Sequence, residues 1–282
     1  MSIANRDQAE RWNEGEDVTH WITNQVGYDR MLAPFTYAIL AAAKLRSGDR
    51  VLDVGCGCGA TTRTAARIVK PGEAVGLDLS FPMLARARSD AESDGLKNAA
   101  FIEGDAQTYD FETGSFDSVI SRFGVMFFSE PVTAFANLRR ATRRGGQLAF
   151  VCWQPLTENE WLLVPGAALA EYVLLPDPGP PDAPGMFAFA DPDRVRGLLA
   201  KAGWDVTEIT SLRPSIQIGG SPSLDEAVDF LRTGSLGRAV LASVDPQTEE
   251  RAVGSVRAAL RRYSDSDGVR LSAAVWVVKA TS

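Results

Sequence analysis

Apolar residues fall into short runs separated by amphipathic stretches, and from about residue 37 to 210 the two alternate. Arg50–Gly55 is a compact apolar run and predicts a strand; the helix predicted after it, 61–69, stops at Pro71-Gly72. Residues 74–79 predict the next strand, and Ser80 with Pro82 in the first turn starts a helix running from Met83 toward Gly95. Three more strands are predicted at 99–105, 116–121 and 147–153, with a helix over 131–144 closed by Gly145-Gly146. Near-continuous apolar strands between helices imply a parallel sheet covered on both faces. The expected class is α/β.

Beyond residue 153 the pattern loosens. Residues 176–184, Pro-Asp-Pro-Gly-Pro-Pro-Asp-Ala-Pro, can be neither helix nor central strand. Asp191 with Pro192 then opens a helix that ends at Gly203, followed by a strand over 204–209 and a closing strand over 271–280. Between those two strands lies a predicted helical insertion. Ser223-Leu224-Asp225-Glu226 is a capping-box pattern, and Asp245-Pro246 opens a helix placing Val253, Val256, Leu260 and Tyr263 on one stripe. No internal repeat is visible.

Composition narrows the partner. The 282 residues are 45% hydrophobic, enough for a sizeable core. A net charge of -7 offers no long-range attraction to nucleic acid or anionic membrane, so a small molecule is the expected partner. The arginine pairs 139–140, 143–144 and 261–262 read as solvated helix ends. The N-terminus is polar, and no window approaches the roughly 20 apolar residues of a membrane span. A cytoplasmic protein is expected, with a homodimer left open. Three cysteines and one histidine provide no disulfide framework and no metal site.

Asp53-Val54-Gly55-Cys56-Gly57-Cys58-Gly59-Ala60 carries the chemistry. Gly55-x-Gly57-x-x-Ala60 satisfies the dinucleotide fingerprint, which alone is weak. Asp53 breaks the tie: a carboxylate here repels a pyrophosphate and attracts a ligand with an α-amino cation and a sulfonium, such as S-adenosylmethionine (SAM). Asp78 closes the second strand, where a carboxylate takes both ribose hydroxyls of either ligand. Asp105, closing the third, can accept from an adenine amino group while the Ala106 N–H donates to the ring. All of these lie at carboxyl ends of strands, where ligands of open α/β sheets bind.

Val51–Gly59, Gly76–Ser80, Gly104–Gln107 and Phe116–Phe128 together resemble the successive motifs of class I SAM-dependent methyltransferases. The similarity is greatest to the small-molecule branch containing ubiquinone/menaquinone-biosynthesis and bacterial natural-product enzymes. It covers roughly residues 25–155, and the remainder by topology only. The resemblance implies a Rossmann-like, seven-stranded, mostly parallel sheet with an antiparallel last strand and no metal. It also implies that Gly55, Gly57 and Gly59 approach the methionine moiety, that Asp78 binds ribose and that Leu79 and Met83 flank adenine. Asp105 and Ala106 would read the adenine edge, with Ser121, Arg122 and Phe123 beneath the methyl group. Cys56 and Cys58 then read as small turn residues.

The expected organisation is a SAM-binding core of 36–212 and 269–282, an N-terminal helical lid of 1–35 and a helical insertion, 213–268, over the acceptor site. Trp12, Trp21, Trp153, Trp161, Phe187, Phe189 and Phe230 are the candidate acceptor-binding residues, because small acceptors favour aromatic-lined concave sites. His20, a candidate base, and Tyr28 eight positions later fall on related faces of a helix predicted over the cofactor; Tyr28 is also a candidate SAM contact. Arg122 is the third catalytic candidate, as a clamp for an acceptor carboxylate. The expected activity is methyl transfer from SAM to O, N or C of a small, fairly apolar, aromatic or polyketide-like metabolite. A non-catalytic SAM-binding scaffold and an NAD-dependent reductase are the alternatives, the latter opposed by Asp53 and by the lack of a Tyr-x-x-x-Lys relay.

Overall fold

The computed structural model describes residues 3–177, 179–180 and 182–282. Met1 and Ser2 of the predicted lid, and Pro178 and Pro181 of the predicted proline-rich loop, lie outside the described residues. Three helices, α1 (Arg6–Asn13), α2 (Glu16–Thr23) and α3 (Gln25–Ala43), precede β1 (Arg50–Val54). Then α4 (Ala60–Val69) leads to β2 (Glu73–Asp78), α5 (Phe81–Ser93) to β3 (Ala99–Glu103), and β4 (Phe116–Arg122) through α6 (Pro131–Ala141) to β5 (Thr142–Trp153). After these come α7 (Glu160–Ala170), α8 (Pro192–Lys201), β6 (Asp205–Leu212) and β7 (Ser215–Gln217). The chain finishes with α9 (Leu224–Thr233), α10 (Ser235–Leu241), α11 (Pro246–Arg261), β8 (Ser264–Asp265), β9 (Gly268–Ser272) and β10 (Val275–Thr281).

Seven strands form one sheet in the order β3-β2-β1-β4-β5-β10-β6. β1 to β5 are parallel, and β10 runs antiparallel between β5 and β6, as the family resemblance implies. Val51, Leu52, Val119, Ile120 and Phe150 are fully buried, because helices cover both faces. The sheet brings the ends of β1, β2 and β4 side by side, which sets the glycine turn next to Asp78 and Arg122.

The helix starts follow their capping residues. Ser80 Oγ accepts from the Met83 N–H, an Asp191 oxygen from Asp193 N–H, and Asp245 Oδ1 from the Gln247 and Thr248 N–H groups. At Ser223 the hydroxyl accepts from the Glu226 N–H, but the return half of the capping box differs: the Ser223 N–H goes to Ser221 Oγ. Among the described residues no helix is long and apolar enough to cross a membrane.

Several predicted elements are corrected. The helix over 131–144 stops at Ala141, because β5 already begins at Thr142 opposite Phe116 and reaches Gln147 through a register shift. The closing strand over 271–280 is two strands: Leu271 and Ser272 belong to β9, and the ladder to β5 starts at Val275. The insertion is not wholly helical, for β7 and β8 lie within it and pair with β9 in a small antiparallel sheet. Helix α7, with Pro165 inside it, lies in a region from which no helix was predicted, and it packs on α11. The boundaries at 35/36 and 268/269 fall inside α3 and β9.

Candidate functional site

β1 delivers the chain to Gly55, whose φ of 67° is left-handed and whose added Cβ would meet Gly124 Cα at 2.7 Å. Gly57, with φ 54°, has only Met83 Sδ near a Cβ, at 3.7 Å, so it presents bare main chain to open space. The turn is clamped from the next strand. The Gly57 N–H donates to Asp78 Oδ2 at 2.7 Å, while Asp78 Oδ1 accepts from the Ser80 N–H at 2.9 Å. Burial raises the Asp78 pKa against these donors.

Behind the turn, Asp53 is 1% exposed. Its Oδ2 accepts from Thr62 Oγ1 at 2.6 Å, whereas Oδ1 is buried without a partner among the described residues. Burial is the main reason its pKa is pushed up to about 7. A small pocket here also includes Asp29 and Arg122. Arg122 Nη2 lies 3.5 Å from Asp29, and Nη1 donates to Thr36 Oγ1 at 3.0 Å. An orphaned carboxylate oxygen beside a Cβ-free turn fits a ligand carrying positive charge, as SAM does, and fits a pyrophosphate badly. Among the described residues no group of three or more His, Cys, Asp or Glu could hold a metal. Burial raises the Cys58 thiol to about 12 and raises Cys56 as well, so both thiols stay protonated.

A cavity of about 400 Å³ opens from the turn. Gly55, Gly57, Asp78, Leu79, Met83, Asp105, Ala106, Arg122 and Phe123 line it, together with Trp12, His20, Trp21, Tyr28, Trp153, Trp161 and Phe230. Its volume lies in the range of small-molecule sites. Two aromatic groups form its walls. On one side Trp21 stacks on Tyr28 at 3.9 Å, and Tyr28 meets Phe230 of α9 edge-on at 4.8 Å. On the other, Phe123 stacks on Trp153 at 4.2 Å, with Trp161 at 5.1 Å from Trp153. Phe123 holds φ at 68°, unusual for a bulky residue, with Phe35 edge-on to its ring.

Four predicted contacts fall elsewhere. Ser121 is fully buried, donating to the Val54 carbonyl and accepting from the Gly124 N–H, so its hydroxyl staples β4 to the glycine turn. Gly59 sits against Phe101 and Ala87 and serves helix packing. Phe189 is core, between Phe135 and Phe150, and Phe187 packs on that core without lining the cavity.

Asp105 is the least expected. Its Oδ2 accepts from the Ala4 and Asn5 N–H groups, and its Oδ1 from the Asn5 side chain and the Gln107 N–H, all within 2.9 Å. The N-terminal segment thus occupies the carboxylate predicted to meet adenine. Sequence reading also missed Asp29, and the Asp17 link that ties α2 to Arg238 and Ser235 of α10. A charge on a polar helix face carries no signal of its distant partner, so these were not legible.

The sequence profile of the methyltransferase-domain family matches residues 51–146, the segment carrying β1 to the start of β5. A demethylmenaquinone methyltransferase of Roseiflexus castenholzii is 30% identical over 205 residues, 64% of this chain and 82% of that protein. The aklanonic acid methyltransferase DauC of a Streptomyces strain is 34% identical over 128 residues, 44% of this chain and 58% of its own length. Among solved structures, the YcgJ protein of Bacillus subtilis shares the fold with a TM-score of 0.58 at 18% identity, covering 88% of this chain and 98% of that one. Because the glycine turn and its carboxylates lie inside the matched segment, and the similarity extends over most of a full-length relative, this chain belongs to the SAM-dependent methyltransferase family, in its small-molecule branch.

Proposed function

We propose that this methyltransferase alkylates an oxygen, nitrogen or carbon atom of a small, largely apolar, ring-bearing acceptor. In this reading residues 36–212 and 269–282 form the SAM-binding core, while 1–35 and 213–268, with the segment 154–190, close over the acceptor. One observation carries it: a single cavity is lined both by the glycine turn with Asp78 and by aromatic rings from all three segments. The relatives act, by their names, on aklanonic acid and a demethylmenaquinone, in keeping with such an acceptor.

SAM, when bound, supplies a methyl group already activated by sulfonium charge. The chain then has to hold and exclude. Gly55 and Gly57 let main chain approach the methionine moiety, Asp53 and Asp29 place negative charge beside its cation, and Asp78 takes the ribose. The aromatic walls exclude water from the reacting centre and orient the acceptor. Burial raises the Tyr28 pKa far above its ordinary value, so its hydroxyl keeps its proton and serves as a hydrogen-bond donor rather than a base. Arg122, already paired to Asp29 and Thr36, braces α3 against β4 and sets the floor between the two halves.

Incubating the protein with methyl-labelled SAM and a panel of aromatic alcohols, amines, carboxylic acids and acidic carbon compounds tests the reading. Label transfer to at least one acceptor, with release of S-adenosylhomocysteine, is expected. Tight SAM binding with no transfer across the panel would favour a scaffold, and calorimetric binding of NADH in place of SAM would favour a reductase.

A further inference from the structure

His20 is the chain's single histidine and lines the aromatic half of the cavity. It is 9% exposed, and its Nε2 is buried without a hydrogen-bond partner among the described residues. The contacts of its other nitrogen settle which tautomer is present. The Asn24 amide nitrogen lies 2.9 Å from the His20 carbonyl oxygen and 3.1 Å from His20 Nδ1. A carbonyl oxygen only accepts, so the Asn24 atom facing it must be the donating nitrogen and not the amide oxygen. That nitrogen's second hydrogen then points to Nδ1, which acts as the acceptor. In a neutral imidazole the ring hydrogen is therefore on Nε2.

The surroundings keep the ring neutral. Burial lowers the His20 pKa first and the Arg238 cation of α10 lowers it further, against smaller opposing effects from Asp17 on its own helix and Asp229 on α9. The rings of Tyr28 and Phe230 are centred 5.9 and 5.8 Å away, and Nε2 finds no acceptor among the described residues. A buried N–H of a residue that lines a ligand cavity is costly while unpaired. A ligand that brings a lone pair relieves the cost, and an all-carbon ligand of the same outline leaves it in place.

We propose that His20 is a positioning residue that donates its Nε2–H to a carbonyl-type oxygen of the methyl acceptor. The inference rests on the methyltransferase reading and sharpens its substrate class: an apolar ring system bearing an oxygen acceptor within reach of α2. It also takes His20 out of the role of general base, because Nδ1 is engaged by Asn24 and the unpaired nitrogen already carries a hydrogen.

A single histidine makes the test direct, since a ¹⁵N-labelled sample gives one imidazole pattern. At pH 8 the full-length protein is expected to show a pyridine-like Nδ1 and a pyrrole-like Nε2. With S-adenosylhomocysteine saturating, 2-acetylnaphthalene is expected to shift the Nε2 signals, and 2-isopropylnaphthalene, of similar outline without oxygen, to leave them in place. His20→Phe should weaken 2-acetylnaphthalene by about fivefold or more, while affinities for S-adenosylhomocysteine and 2-isopropylnaphthalene stay within about twofold. His20→Gln, which keeps a donor, should recover part of the loss. A hydrogen on Nδ1, an unmoved Nε2 signal at saturating 2-acetylnaphthalene, or equal weakening of both naphthalenes in His20→Phe would overturn the proposal. Failure of the wild-type protein to bind S-adenosylhomocysteine would strike at the methyltransferase reading instead and leave the tautomer result standing.

Discussion

The glycine end of the cavity and its aromatic end are built from different materials. At the glycine end, the chain offers main-chain N–H groups, turns in left-handed conformations and carboxylates, Asp78 held by two donors and Asp53 by one, all on or next to strand ends. At the aromatic end it offers rings on helices from three separate segments, held by stacking and by links such as Asp17 to Arg238. Backbone geometry tolerates almost no change of side chain, whereas a wall of rings can exchange one ring for another and keep its character. The first end lies within the segment that the methyltransferase-domain profile matches, and most rings of the second lie outside it.

The largest expected effect tests the rigidity of the glycine end. Gly55→Ala adds a Cβ 2.7 Å from Gly124 Cα at a positive φ. The left-handed conformation costs roughly 1–2 kcal/mol and overpacking about 1–3 kcal/mol more, so the urea midpoint should fall and SAM binding should vanish. Wild-type stability and affinity in this variant would break the contrast. Asp78→Ala comes next, with SAM affinity falling more than about tenfold, since charge-assisted hydrogen bonds contribute roughly 1.5–3 kcal/mol each. Calorimetry with SAM reads it, and an unchanged dissociation constant would remove Asp78 from the site.

Asp53 gives a pH signature. Its pKa is raised to about 7, so its contribution to the stability of the free protein is greatest when it is protonated and is lost as pH rises through 7. A cationic ligand prefers the ionised form. If only that form binds, SAM affinity should tighten by about tenfold between pH 6 and pH 8, and Asp53→Asn should flatten the profile. A flat profile in the wild-type protein would show that the carboxylate does not face the cation. At the aromatic end, Phe230→Ala should raise KM for the acceptor by roughly threefold to tenfold and leave KM for SAM unchanged. A parallel rise in both would mean that the two ends are not separable. The smallest effect is none: EDTA should leave turnover intact, and loss restored by magnesium or zinc would introduce a metal that neither end provides for.

The same contrast explains what could be read beforehand. Gly55, Gly57, Asp53 and Asp78 are legible because each answers a local demand of a strand-to-helix turn, and local demands leave sequence patterns. Trp21, Tyr28 and Phe230 could be named as candidates, but their convergence depends on α9 reaching α2 and α3 across some 200 residues of chain. Phe189 and Trp153 look alike in the sequence as aromatic candidates for the acceptor site, yet one fills the core and the other lines the cavity. Ser121 lies in the right motif and turns its hydroxyl to the Val54 carbonyl. Asp105 follows the end of β3, and its partners were not legible, because Ala4 and Asn5 carry no pattern that announces a carboxylate a hundred residues away.

The position of β10 has a consequence for how the chain reaches this state. β6 joins the large sheet only through β10, yet Val275 follows Leu212 by more than 60 residues. During synthesis β1 to β5 can pair among themselves as they emerge, while β6 must wait, its edges open, until the whole insertion has been made and the chain has turned back. Such non-local closure is slow, and an open strand edge is the surface on which nascent chains aggregate. Substitutions in β10 should therefore show first as a lower yield of soluble protein, with turnover per folded molecule little changed.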